Sequence, residues 1–229
     1  LGSTVLKGVL ANEKKGLVPS TKWKKETLGR GWVLGETLLT GIGQGFIQTT
    51  PLQLCLMTAQ LANGGYRIYP KIKVDKKQDT YENIKYKMAQ NVLKEKENIS
   101  PFRKVSEELF NINEKEYTSL FRNSENVKFV LEAMFGSTNE IMGTAYASRI
   151  EDPKYQFAGK TGTSQVKRIS EQERELDLHI SQIPYNERDH ALYIGFGPYK
   201  NPRYAVSVIV EHGGSGSSIA APITKKLFK

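Results

Sequence analysis

After Tyr155 the apolar residues of this chain stop recurring every three or four positions and begin to alternate. That change of period limits the fold more than any other feature. Residues 155–167, 190–197 and 203–212 are rich in Tyr, Phe, Val, Ile and Thr, with Tyr204, Val206, Val208 and Val210 at every second position. They read as strands. Pro198-Tyr199-Lys200-Asn201-Pro202 joins the last two as a hairpin, which predicts antiparallel neighbours. Upstream the pattern is helical. Thr50 can cap a helix whose first position suits Pro51, with Leu52, Cys55, Leu56, Ala59 and Ala62 on one stripe and Gly64-Gly65 as the stop. Residues 126–135 predict a second helix with Val127, Val130, Leu131 and Met134 on one side, ended by Gly136. A terminal helix starting near Ser217-Ser218 carries Ala220, Ala221, Ile223 and Leu227. Helices, then antiparallel strands, then a covering helix predict an α+β architecture, an antiparallel sheet covered by helices.

The remaining stretches are less regular. Residues 1–35 carry turn signals at Gly16, Pro19-Ser20 and Gly29-Arg30-Gly31, and the opening at Leu1 without methionine suggests a fragment. Residues 70–125 are weakly periodic and charged, with short helices expected around 104–110 and 115–122. Lys71, Lys73, Lys76, Lys77, Lys85, Lys87, Lys94 and Lys96 interleave there with acids and amides. Only Tyr81 and Tyr86 lie among these lysines, so a solvated charged insertion is favoured over a nucleic-acid face, which needs aromatic stacking partners. With 33 Lys+Arg against 24 Asp+Glu the chain carries +9, which by itself favours acidic polymers or an anionic membrane surface. No apolar run approaches the roughly 18 residues of a membrane span, and no N-terminal segment reads as a signal peptide. The single cysteine, Cys55, excludes an internal disulfide and a cysteine-based zinc site. His179, His190 and His212 lack the close spacing of a metal site, so neither metal nor cofactor is expected.

Ala158-Gly159-Lys160-Thr161-Gly162-Thr163 is the stretch richest in chemistry. Gly159-Lys160-Thr161 has the letters that end a phosphate-binding loop. That pattern needs glycine where this chain has Lys154, and a helix where it has Gly162-Thr163-Ser164-Gln165-Val166. The phosphate-loop reading fails on both counts. On a strand, the same residues suit a peptide carboxylate: Lys160 supplies a cation and Thr161 a hydroxyl donor. Gly162 lets a peptide lie close against the strand edge, and the Thr163 N–H can donate to an oxyanion. Alone, the triplet is weak. A lysine on a solvent-facing strand beside a turn glycine would look the same.

Its company is more specific. Gly195-Phe196-Gly197-Pro198 closes the second strand, Asp189-His190-Ala191 opens it, and Glu211-His212-Gly213-Gly214-Ser215-Gly216 closes the third. Upstream stand Gly16-Leu17-Val18-Pro19-Ser20, Trp32, Gly35-Glu36-Thr37, Gly41-Ile42-Gly43-Gln44-Gly45 and Thr49-Thr50-Pro51-Leu52-Gln53. With these the chain closely resembles the C-terminal part of the transpeptidase domain of class B penicillin-binding proteins, most of all the elongation-specific peptidoglycan D,D-transpeptidases. The resemblance covers residues 1–69 and 126–229 well and 70–125 poorly. It implies the penicillin-binding, serine β-lactamase-like transpeptidase fold, with residues 1–229 one portion of a single domain and 70–125 an insertion within it.

What the resemblance implies about function is a serine acyl-enzyme that cross-links stem peptides ending in D-Ala-D-Ala and is trapped by β-lactams. Lys160, Thr161, Gly162 and Thr163 would bind substrate, Thr163 as the oxyanion-hole candidate. Cell-wall elongation proteins would be the partners and the periplasmic face of the bacterial inner membrane the location. The family's nucleophile motif Ser-x-x-Lys and its companion Ser-x-Asn precede the Gly-x-Gly-Gln-Gly segment, and neither occurs among the residues before Gly41. Ser164-Gln165-Val166-Lys167 matches the first by letters but continues a strand, where serine and lysine would face opposite sides. Ser124-Glu125-Asn126 and Ser137-Thr138-Asn139 match the second but lie too far downstream. Gly213-Gly214-Ser215-Gly216-Ser217 misses a nucleophile elbow at its last position, and Asp189-His190 marks a strand entrance rather than an acid/base pair. The nucleophile is therefore expected outside these residues, and an apolar face along 155–215 is expected to stand exposed. The alternative is a non-catalytic interaction module of the same fold. A regulatory sensor of that fold fares worse, because it needs its own Ser-x-x-Lys.

Overall fold

A computed structural model describes residues 1–6, 9–70, 72, 120–167 and 180–229. The helix expected around 104–110, residues 115–119 of the one expected around 115–122, most of the lysine-rich insertion and His179 lie outside the described residues, and residues 120–122 are not helical. Three strands form one antiparallel sheet in the order β1-β2-β3: β1 Ala158–Ser164, β2 His190–Gly197 and β3 Tyr204–Val210. The register sets Lys160 opposite Ile194 and Thr161 opposite Tyr193, and Tyr193 in turn opposite Val208. The Pro198–Pro202 turn makes the expected hairpin, beginning with a cis Gly197-Pro198 bond.

Alternation along the strands divides the core in two. On one face Ala191 and Tyr193 of β2, with Val206, Val208 and Val210 of β3, pack against Phe157, Ala220, Ala221 and Phe228. The helix covering this face is α5, Ala221–Phe228, entered through a π-helical turn at Gly216–Ala220. On the other face Ala158, Ile194, Phe196 and Ala205 meet Leu61 and Ala62 of α3 (Pro51–Ala62) and Val127, Leu131 and Met134 of α4 (Ser124–Asn139). Both faces of the central strand are thus covered, with Ala191, Tyr193 and Phe196 fully buried. The expectation of an exposed apolar sheet face does not hold, because α3 and α4, within residues 1–150, supply that cover.

Exposed apolar side chains gather elsewhere, on Leu34, Leu38 and Ile42 along one side of α2 (Leu34–Gly41) and its end. Neither α2 nor α1 (Thr21–Leu28) is evident in a stretch read as turns. The turn residues Ser20 and Gly29 are the caps of α1: Ser20 Oγ accepts from the Trp23 N–H, and Gly29 takes the left-handed conformation at φ 66°. The two short helices are joined at a corner by a buried lysine. Lys24 Nζ pairs with the Glu36 carboxylate and donates to the Gly31 carbonyl at 2.7 Å, while Trp32 Nε1 donates to Thr37 Oγ1 at 2.8 Å. Glu36 also caps α2, accepting from the Val33 N–H at 2.9 Å.

Local signals set α3 as expected. Thr50 Oγ1 accepts from the Gln53 N–H, the Gln53 side chain accepts from the Thr50 N–H, and Pro51 opens the helix. Its buried side is rotated from the expected stripe. Gln53, Thr58, Leu61 and Ala62 are buried, whereas Leu52, Cys55, Leu56 and Ala59 are only partly so. Helix α4 passes Gly136 and ends at Asn139, and of its predicted stripe Val130 is exposed while Thr138 is buried. In α5 it is Ala221, Thr224 and Phe228 that face inward, with Ile223 and Leu227 outward.

Candidate functional site

The site is built at the outer edge of β1, which among the described residues has no strand partner beyond β2. On this strand Thr161 and Thr163 share the face covered by α5, and Lys160 and Gly162 the opposite face. The lysine does not stay on its own side. Its Nζ turns over the edge and donates to the Thr161 carbonyl at 2.9 Å and to Thr161 Oγ1 at 3.3 Å. The N–H and C=O of one residue in an antiparallel strand point to the same side, and those of successive residues to opposite sides. A Thr161 carbonyl reached from the edge therefore puts the Thr163 N–H at that edge too. Phe157, in the same phase, offers its carbonyl there to Asn139 Nδ2 at 2.9 Å.

Helix α4 flanks this edge with hydroxyls. Thr161 Oγ1 lies 3.1 Å from Thr144 Oγ1, which lies 3.2 Å from Ser137 Oγ in the last turn of α4. The Ser137-Thr138-Asn139 match, set aside in the sequence as too far downstream, is brought by the fold to within one hydroxyl of Thr161. Sequence reasoning missed Thr144 altogether. Gly143 beside it was a usable signal, because a Cβ there would sit 2.4 Å from the Gly136 carbonyl oxygen. Thr144 also lines a cleft of about 530 Å³ bounded by Ser148, Ser217, Ser218, Lys225 and Lys229.

Tyr193 fixes the edge from behind. Its ring crosses Gly159 and Gly195, and its hydroxyl meets Thr138 Oγ1 at 2.7 Å, fully buried. Burial pushes the phenol far above its ordinary value, and the bond to Thr138 offsets this only in part. The glycines have separate reasons. A Cβ on Gly159 would lie 2.3 Å from the Tyr193 hydroxyl, whereas one on Gly162 would meet only Leu192 Cβ at 3.4 Å. Gly216 packs against the carbonyls of Gly162 and Leu192, where a Cβ would stand 2.4 Å from each.

The other sequence candidates fall apart or become structural. Ser164 ends β1, and Lys167 beyond it pairs with Glu187 at 3.0 Å. Ser124 opens α4 at its far end. Asp189 and His190 tie strand ends together: the Asp189 carbonyl accepts from the Gly214 N–H at 2.8 Å, and His190 Nδ1 accepts from the His212 N–H at 3.0 Å. His212 sits at φ 56°, with Nδ1 3.0 Å from the Arg188 carbonyl oxygen. Ser215 caps the π-helical turn by accepting from the Ser218 N–H.

Residues 5–229 match the penicillin binding protein transpeptidase domain. The peptidoglycan D,D-transpeptidase MrdA of Salmonella typhimurium is 32% identical over 219 residues, covering 96% of this chain and 30% of that protein. MrdA of Acinetobacter baumannii is also 32% identical, over 93% of this chain and 27% of its own length. The chain therefore spans about 30% of the length of these curated relatives. Among solved structures, the Helicobacter pylori penicillin-binding protein PBP2 in complex with MreC superposes with a TM-score of 0.65 at 28% identity, covering 98% of this chain and 32% of that one. Pseudomonas aeruginosa PBP2 in complex with WCK 5153 gives 0.63 at 33% identity, over 94% and 38%.

Proposed function

This chain belongs to the penicillin-binding protein transpeptidase family, and we propose that its 229 residues form the C-terminal part of the domain in a peptidoglycan D,D-transpeptidase. Its task there is to hold the donor stem peptide. The Lys160 ammonium and Thr161 hydroxyl bind the carboxylate of a terminal D-Ala-D-Ala, or the carboxylate of a β-lactam that mimics it. The peptide lies along the outer edge of β1 as an added strand, Gly162 leaves that edge low, and the Thr163 N–H faces the scissile carbonyl as half of an oxyanion hole. The serine that forms the acyl-enzyme, and the motif that assists it, lie outside these residues, and a second stem peptide resolves the intermediate. Such an enzyme works at the periplasmic face of the bacterial inner membrane with cell-wall elongation proteins. Helicobacter pylori PBP2 has been captured with one partner, MreC.

The observation that carries this reading is the convergence of an ammonium, a hydroxyl and an outward N–H on one strand edge, with the cation 2.9 Å from the Thr161 carbonyl. The test is intact mass after incubation with excess penicillin. The full-length protein is expected to gain one drug molecule, and boiling beforehand abolishes the gain. Lys160→Ala and Thr161→Val should slow acylation by about tenfold or more, the scale of losing a charge-assisted hydrogen bond. The 229-residue chain alone should gain nothing. An adduct on it would place a nucleophile within these residues. No adduct on either protein would replace the enzyme with a non-catalytic interaction module.

A further inference from the structure

We propose that Thr144 is a positioning residue that aims the Thr161 hydroxyl proton at the ligand carboxylate, an inference that rests on the function proposed above. A hydroxyl has one proton to give and two lone pairs to accept with. Lys160 can only donate, and its ammonium lies 3.3 Å from Thr161 Oγ1, so one of those lone pairs is taken. Left to itself, the Thr161 proton would turn equally well to solvent or to Thr144. Thr144 Oγ1, at 3.1 Å, occupies the second lone pair when it donates. Either hydroxyl of each pair can donate, and a carboxylate beyond Thr161 selects the order in which Thr144 donates, with Ser137 Oγ 3.2 Å behind it filling a lone pair of Thr144 in turn. The row Ser137 to Thr144 to Thr161 then runs in one direction, and the only proton left over points out to the carboxylate.

The position of Thr144 is built for this. The Ala145 N–H donates to the Ser137 carbonyl at 2.9 Å, and Gly143 packs directly on the Gly136 and Ser137 carbonyls, so the residue is clamped on both sides to the end of α4. Yet its own side chain is exposed and supports no core contact. A threonine held so firmly without being buried is held for its hydroxyl.

The experiment measures acylation of the full-length protein by a fluorescent penicillin, and by the same penicillin with its carboxylate esterified. Four variants are compared: Thr144→Val, Thr144→Ser, Thr161→Val and the double valine. Thr144→Val should slow acylation by the acid five- to tenfold, roughly one neutral hydrogen bond, and Thr144→Ser should stay within about twofold of the parent. With the ester, Thr144→Val should make no difference. In the Thr161→Val background, adding Thr144→Val should cost nothing more, since the hydroxyl it aims is gone. Melting temperatures are read alongside, and the exposed site should leave them unchanged. If Thr161→Val slows acylation but Thr144→Val does not, or slows acid and ester alike, the positioning role is refuted while the carboxylate site stands. If Thr161→Val itself has no effect, both fall together.

Discussion

Replacing Gly159 by alanine tests the packing behind the site through the sign of its effect. Gly159 does not adopt a positive φ, and at such a position Gly→Ala ordinarily stabilises a protein by about 0.4–1 kcal/mol, through the unfolded chain. Here the new methyl would stand 2.3 Å from the Tyr193 hydroxyl, 2.5 Å from its ring and 2.4 Å from the Ile194 carbonyl oxygen. Ordinary contacts between heavy atoms lie near 3.5–4.0 Å, so each neighbour must give by about 1 Å. None is free to do so. Ile194 is the strand pairing residue of Lys160, and the Tyr193 ring is fully buried and tethered to Thr138 at 2.7 Å. Overpacking of this kind costs about 1–3 kcal/mol, which outweighs the chain-entropy gain. Melting followed by far-ultraviolet circular dichroism should therefore drop by roughly 2–10 °C at about 2–4 °C per kcal/mol for a chain of this size. Tyr193→Phe in the Gly159→Ala background removes the closest atom but not the ring or the carbonyl, so it should recover part of the loss. In the parent the same change should cost about 1 kcal/mol, because Thr138 loses its strongest partner. An unchanged or raised melting temperature for Gly159→Ala would refute the account of why Tyr193 crosses this strand.

Three further outcomes are expected. The carboxyl of Glu36 is held below its ordinary range by its bond to Lys24 and then by the Val33 N–H, so what it adds to stability is present above the unfolded value, near pH 4, and lost as acid titrates the folded form. Both tryptophans of the chain, Trp23 and Trp32, stand at that corner, and their fluorescence should change below about pH 4 in the parent but not in Glu36→Gln. Asn139→Ala strips donors from the Phe135 and Phe157 carbonyls and should cost about 1–3 kcal/mol in urea unfolding; a loss under 0.5 would mean water replaces the amide. Burial pushes the Cys55 thiol up, and its S–H donates to the Ala205 carbonyl at 3.3 Å, so alkylation at pH 8 should be slow until denaturant is added. Labelling at the rate of a free thiol would contradict that.

The parts legible in the sequence were those decided locally. The Thr50-Pro51 start of α3 is a capping box within four residues, and the β2–β3 hairpin is written in its alternation and its prolines. That Lys160 to Thr163 lie on one strand is legible because the four residues are consecutive and their alternation is local. Errors arose where distant contacts overrode local rules. Gly136 fails to stop α4 because Thr138 and Asn139 beyond it are held by Tyr193 and by the Phe157 carbonyl. The buried stripe of α3 was misassigned because Thr58 and Gln53 satisfy their polar groups internally, Thr58 on the Leu54 carbonyl and Gln53 on the Ser3 carbonyl, and so can be buried like apolar residues. Thr144 and Ser137 stand 17 and 24 residues before Thr161, and no spacing rule links them to it. Only the turn at Gly143 folds that segment back onto the end of α4.

A strand edge open to a peptide is equally open to another copy of the same chain, and an unpaired edge is a standing route to aggregation. The inward turn of Lys160 bears on that hazard. By spending its ammonium on the Thr161 carbonyl, the lysine takes an acceptor that a second strand would need and leaves positive charge along the edge. Two copies brought edge to edge would set like charges against each other. One side chain thus guards an edge that would otherwise be free to pair with its own kind.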